Sequence, residues 1–289
     1  MEIKKYKYSK RKRQDQRQLY FTLIGILCVM GVTGLLNMNY SGKENIKETA
    51  NEAKTEETID VKVKEEQVET SKERLERVRR EAKAKKYPNG VIRLLDKNAN
   101  TVDFVEQYDE KKDLPPAKTI GDDLVKGQIP HLLQWDQRWG YAPYGTSNVA
   151  VSGCGPTCLS MVAAGLTGDA SLTPARLAAY GTKKGYVDKE NNTYWKFMSE
   201  GLAKWKIDCY ESDMEKKRII TELKAGNPII LSVGPGDFTK MGHFIVLTGC
   251  VDGKIKLNDP FSQENTEKLW KFERIAKQTK AAWVYSRKK

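Results

Sequence analysis

A cysteine set between two glycines at the mouth of an apolar helix dictates much of what this chain can become. The stretch runs Val151, Ser152, Gly153, Cys154, Gly155, Pro156 and then Thr157 to Ala164, almost without a polar side chain. Proline suits a first helical turn, so the pattern predicts a buried helix that begins at the cysteine and stops near Gly165. A thiol there faces backbone N–H groups that lack partners within the helix, and the positive end of the helix dipole favours the thiolate. Cys154 is therefore the candidate nucleophile, with Gly153 and Gly155 leaving its sulfur uncrowded. A lone buried cysteine is more often inert, so the reading needs a base.

The base is found in a second stretch. His243, one of only two histidines, opens the apolar run His243 to Cys250, which reads as a strand. Asp252 and Gly253 signal a turn, and Lys254 to Asn258 returns as the paired strand ahead of Asp259 and Pro260. Thiol proteases need this combination of a thiolate–imidazolium pair and a group that orients the ring. The turn decides whether that group can be Asp259. A two-residue turn pairs Val251 with Lys254 and sends Asp259 to the face opposite His243. A three-residue loop, Asp252 to Lys254, pairs Val251 with Ile255 and puts Asp259 on the same face. The expectation is a bulged hairpin with Gly253 in the left-handed position, or an equivalent irregularity before Pro260. Should the hairpin be regular, Asn258 takes the orienting role or a dyad of Cys154 and His243 remains.

These motifs, together with Gln134, Trp135, Asp136, Gln137, Arg138, Trp139 and Gly140 upstream, resemble the bacterial cysteine peptidases of family thirty-nine, relatives of the double-glycine leader peptidases. The resemblance covers roughly Ile129 to Tyr285. It implies a papain-like fold and a triad of Cys154, His243 and Asp259. It also implies an oxyanion-donating glutamine before the cysteine. Gln134 is its counterpart here, but it lies farther from the cysteine than in the leader peptidases, so Gln137 and Asn148 stay open.

Charge and hydropathy divide the rest of the chain. Residues 1–18 hold eight Lys or Arg against two acids, half of the formal net charge of +12, so the total is a poor argument for nucleic-acid binding and none is expected. Leu19 to Leu36 contains no charged residue and has the length of a bilayer core. No small-residue cleavage site follows before Tyr40, so the expectation is a transmembrane helix at 19–38 rather than a removed signal. The basic tail before it should stay in the cytoplasm, with everything after it outside. Residues 39–86 read as a charged stalk: between 41 and 86 lie thirteen Lys or Arg, twelve Asp or Glu and no aromatic residue. From Ser71 the stalk carries oppositely charged pairs at helical spacing, which predicts a solvated helix. Residues 87–118 read as an extension with two short amphipathic helices, Val91 to Asp96 and Thr101 to Val105, with Asn100 as a cap.

Residues 119–289 read as the peptidase domain. Helices are expected at Pro174 to Lys184, Tyr194 to Trp205 and Met214 to Ala225, the last closed by Gly226. Strands are expected at Ile207 to Glu211, Pro228 to Val233, His243 to Cys250, Lys254 to Asn258, Lys268 to Lys271 and Ala281 to Tyr285. Helices first and an antiparallel sheet afterwards make an α+β class. Trp135, Trp139, Tyr141, Tyr144 and Trp195 are candidates for a substrate groove, although aromatic residues are more often core. His131 has no evident partner and is read as structural. Cys158, one turn beyond Cys154, should point into the core. With Cys154 reserved, Cys158, Cys209 and Cys250 cannot form a complete disulfide framework.

No Cys/His spacing suggests zinc, no phosphate-binding loop of the G-x-x-x-x-G-K-[ST] type is present, and no cofactor is expected. The functional expectation is a membrane-anchored, extracytoplasmic cysteine peptidase acting on a peptide or protein. The rivals are a catalytically idle binding module on the same fold and a cell-wall peptide amidase or endopeptidase.

Overall fold

The computed structural model describes residues 69–288. The basic tail, the apolar segment 19–38 and the stalk as far as residue 68 lie outside the described residues. Among the described residues no helix is long and apolar enough to cross a membrane.

Helix α1 (Ser71–Ala84) starts where Thr70 Oγ1 accepts the Glu73 N–H and the Glu73 carboxylate accepts the Thr70 N–H in return. It is not the solvated helix its charges suggest. Val78 and Ala82 are buried, and Leu75, Val78 and Ala82 share one face at helical spacing. That face packs on a run of one-turn helices, Asn89–Ile92, Leu94–Lys97, Val102–Glu106 and Tyr108–Lys111, where two helices were expected. Asn98, not Asn100, makes the cap in this run, its Oδ1 accepting the Asn100 N–H at 3.0 Å. Arg77 reaches Glu106 at 2.8 Å and Arg74 reaches Asp103 at 2.6 Å, so charges that look like stalk polarity are spent on tertiary pairing. Helix α1 therefore packs with the short helices of the extension. Its apolar cluster includes Leu94, Leu95, Phe104 and Val105 and takes in Tyr141 and Ala150 from the following domain.

Helix α2 (Val149–Ser152) leads into helix α3 (Cys154–Thr167). Every residue of α3 from Gly155 to Ala164 is buried, which accounts for a helix with no polar face. It runs through Gly165 to Gly168, whose φ of 75° ends it. Gly165 serves packing instead: a β-carbon there would lie 2.5 Å from the Ile129 side chain. Helix α4 (Pro174–Lys183) is capped by Thr173. The expected helix from Tyr194 to Trp205 breaks into Trp195–Glu200 and a 3-10 turn at Ala203–Trp205. Helix α5 (Lys216–Lys224) closes at Gly226, with φ of 83°.

The sheet is fully antiparallel. Its strands are β1 (Ile207–Ser212), β2 (Ile229–Val233), β3 (His243–Val251), β4 (Lys254–Asn258) and β5 (Thr279–Arg287), in the spatial order β1-β5-β2-β3-β4. Side chains alternate between two cores. Ile230, Phe244, Val246, Trp283 and Tyr285 pack with α3 and α4, whereas Leu231, Ile245, Leu247, Leu257 and Val284 pack with α5 and Trp270. Cover on both faces explains why β2 is buried throughout and, Ser232 apart, apolar. Lys268 to Lys271 is not a strand: only Trp270 bridges, exchanging hydrogen bonds of 2.8 and 2.9 Å with Ile255.

The β3–β4 hairpin corrects the expected turn. Asp252 (φ 49°) and Gly253 (φ 73°) form a two-residue turn, with Val251 opposite Lys254. Asp and Gly both tolerate the left-handed backbone that such a turn needs, so nothing forces a longer loop. The irregularity lies within β3. Gly249 faces Lys256 and Leu247 faces Leu257, so Thr248 is an extra residue. A one-residue offset exchanges faces, and this bulge brings Asp259 to the His243 side.

Candidate active site

Cys154 is the first residue of α3, held there by close backbone approaches on both sides. A β-carbon on Gly153 would lie 2.5 Å from the Val149 carbonyl oxygen, and one on Gly155 would lie 2.7 Å from Thr193 Oγ1. The glycines are thus required by packing of α2 and the Thr193 loop against α3, and not to uncrowd the sulfur. Cys154 itself is half-buried.

His243 enters from the start of β3. Its Nε2 lies 2.8 Å from Asp259 Oδ1, and its ring is close enough to Cys154 to act on the thiol. With Nε2 engaged by the carboxylate, Nδ1 is the nitrogen left for sulfur. Burial would push the thiol up, but the hydrogen bond and charge of His243, with the backbone N–H groups of Phe244 and Gly155, hold it below its ordinary value. Burial likewise works against a charged His243, yet the Asp259 carboxylate and the sulfur outweigh it and raise the imidazole to about 10. Asp259, 1% exposed, is held below the usual carboxylate range: burial opposes this, and His243, Asn265 and the Phe261 N–H together prevail. The three groups suit a thiolate–imidazolium–carboxylate state, in which each buried charge has a partner.

Asp259 is fixed on every side. Asn265 Nδ2 donates to Oδ2 at 2.8 Å and the Phe261 N–H donates to Oδ1 at 2.9 Å. The Asp259 N–H donates to Thr266 Oγ1 at 2.9 Å. His131 also belongs here, against the expectation that it lacks a partner. Its Nε2 lies 2.8 Å from the Asp259 carbonyl oxygen and 3.1 Å from Thr266 Oγ1. Burial lowers its pKa, so the neutral ring donates to that carbonyl. Sequence reasoning missed Asn265 and Thr266, whose only signal is the Ser262 cap of the short helix Gln263–Glu267 just beyond Asp259. Asn258 takes no orienting role, because its amide donates to the Pro130 carbonyl at 2.9 Å.

Gln134 is buried beside both halves of the site. Its Nε2 donates to the Ala150 carbonyl at 2.8 Å, and its own N–H donates to the Pro260 carbonyl at 2.7 Å. The amide keeps one further N–H, and its Oε1 has no partner among the described residues. The alternatives are occupied elsewhere. Gln137 accepts from Lys111 Nζ, and Asn148 Oδ1 caps α2 by accepting the Val151 N–H at 3.0 Å. Cys158 is fully buried, and burial pushes its thiol well above the ordinary value. Of the groove candidates, Trp139, Tyr141 and Tyr144 are core, whereas Trp195 is 49% exposed and Trp135 is half-buried.

Residues 126–289 match the model of the Peptidase_C39 like family. None of the curated protein sequences matches the chain. Among solved structures, the peptidase domain of Streptococcus ComA, a bi-functional ABC transporter involved in a quorum sensing pathway, is similar at 20% identity with a TM-score of 0.36. That likeness covers 47% of this chain and 93% of that one. A putative C39-like peptidase from Bacillus anthracis is 16% identical with a TM-score of 0.35, covering 58% of this chain and all of that one.

Proposed function

The chain belongs to the Peptidase C39-like family, and from that premise we propose that it is a cysteine peptidase in which Cys154, His243 and Asp259 act as a triad. The observation that carries the reading is the buried Asp259 carboxylate 2.8 Å from the His243 ring, with that ring holding the Cys154 thiol below its ordinary value. The Cys154 thiolate attacks the carbonyl carbon of the scissile peptide bond. The developing oxyanion is received by the Cys154 N–H and the remaining N–H of the Gln134 amide. His243 then passes its proton to the leaving amine, which departs and leaves a thioester. Water, deprotonated by His243, hydrolyses the thioester and frees the acid product. Asp259 keeps the ring in the tautomer that presents Nδ1 to sulfur.

The substrate is a peptide or protein. The uncharged segment Leu19 to Leu36 and the basic tail before it support a single-pass anchor with the domain on the outer surface. External protease on intact cells should cut within the stalk, and protection of residues 41–289 would overturn that topology. The hydrolytic reading is tested by incubating the full chain with a peptide mixture and sequencing new N-termini. Products that vanish with Cys154→Ala support it. No products, with peptides still retained by the protein, would favour an idle binding module. Cleavage confined to cell-wall peptides would narrow the substrate to that class.

A further inference from the structure

Residues 69–113 precede the stretch that matches the family, yet they touch the site's supports at several points. Tyr141 stacks on Phe104 at 4.1 Å and its hydroxyl donates to the Phe104 carbonyl at 2.9 Å. Gly90 lies so close to Val151, three residues before the nucleophile, that a β-carbon would come within 2.8 Å of it. Asn98 Nδ2 donates to the Phe261 carbonyl at 2.9 Å, and Trp135 Nε1 donates to the same oxygen at 3.0 Å. The Phe261 N–H in turn donates to Asp259 Oδ1, the oxygen that holds His243.

We infer that Asn98, in the N-terminal extension, is a positioning residue for the triad: it fixes Phe261 so that the Phe261 N–H is aimed at the Asp259 carboxylate. This rests on the triad reading above. A carboxylate given an aligned N–H stays charged and keeps its attraction for the imidazolium. Without Asn98 the Phe261 backbone keeps only the Trp135 donor and can rotate its N–H off Oδ1. Asp259 then holds His243 less firmly, and the imidazolium loses its proton at lower pH. The extension is in this sense part of the catalytic unit and not a spacer.

Asn98→Asp is the informative variant. Aspartate retains the oxygen that caps Asn100, so the local turn survives, while the donor to Phe261 is lost. In the full chain, kcat for peptide hydrolysis should fall about tenfold with KM little changed. The alkaline limb of the kcat/KM profile should move down by about half to one pH unit. Asn98→Ala should behave likewise. Arg79→Ala, which breaks the pairing with Asp96 within the extension, should leave the profile in place. If wild type hydrolyses peptides through Cys154 but Asn98→Asp keeps the wild-type profile, or Arg79→Ala moves it equally, the positioning role is wrong. If wild type shows no Cys154-dependent hydrolysis, the triad reading itself fails.

Discussion

Replacing His243 by alanine should raise the Cys154 thiol and lower its thiolate fraction at neutral pH. In the native site the imidazole opposes burial. In its absence burial remains, and only the Phe244 and Gly155 N–H groups resist it. A thiol at the ordinary value of 9.0 is about 1% ionised at pH 7, so about a hundredfold is the ceiling on the thiolate population that lowering the thiol can add. The more basic thiolate that remains is intrinsically a better nucleophile, which returns part of the loss. The net expectation is an alkylation rate about tenfold lower at pH 7. The assay is iodoacetamide labelling of the native protein, followed by intact mass and peptide mapping across pH 5 to 10. Wild type should show a plateau through neutral pH, and the variant a rate that climbs into the alkaline range. Equal rates and equal profiles in two proteins that melt alike would refute the ion pair. His131→Ala, whose ring meets only the far side of Asp259, should move the profile much less.

Three further outcomes follow from the same geometry. Gln134→Ala should lower kcat about a hundredfold, as loss of one oxyanion donor does, while Cys154 alkylates at the native rate; slowed alkylation would place Gln134 outside the oxyanion site. Asp259 has a folded-state pKa below its unfolded value, so it stabilises the fold above the unfolded value and that contribution fades as pH falls through the folded one. The stability gap between wild type and Asp259→Asn, measured by urea melts, should therefore narrow below about pH 4, and a constant gap would contradict this. Leu159→Ala, in the fully buried part of α3, should cost about 2–5 kcal/mol by cavity formation, seen as a lowered denaturation midpoint.

What the sequence disclosed, and what it withheld, differs by the range of the forces involved. Cys154 at a helix start, His243 at a strand start and Asp259 beyond the return strand are legible because each follows from local pattern. Parity demands an offset between His243 and Asp259, and the structure supplies it through a bulge at Thr248 and not through a three-residue loop at Asp252 and Gly253, a choice that sequence parity alone does not make. The Gly249 beside Thr248 was the available hint. Gly153, Gly155 and Gly165 are visible as glycines, but their reasons lie in Val149, Thr193 and Ile129, which come close only in the folded chain. His131 finds its partner 128 residues away, beyond any spacing argument. Helix α1 did carry a signal: Leu75, Val78 and Ala82 form a narrow apolar stripe that the surrounding charges obscured.

The account turns on Cys154 forming a covalent bond to a substrate carbonyl with help from His243. The direct measurement is to treat the full chain with a peptidyl acyloxymethyl ketone, a probe that needs a thiolate nucleophile and nearby imidazolium assistance, and to map the adduct by mass spectrometry. One adduct per chain on Cys154, absent in Cys154→Ala and at least about tenfold slower in His243→Ala, is the predicted result. Adducts spread over Cys158, Cys209 and Cys250, or a Cys154 adduct formed equally fast without His243, would contradict it.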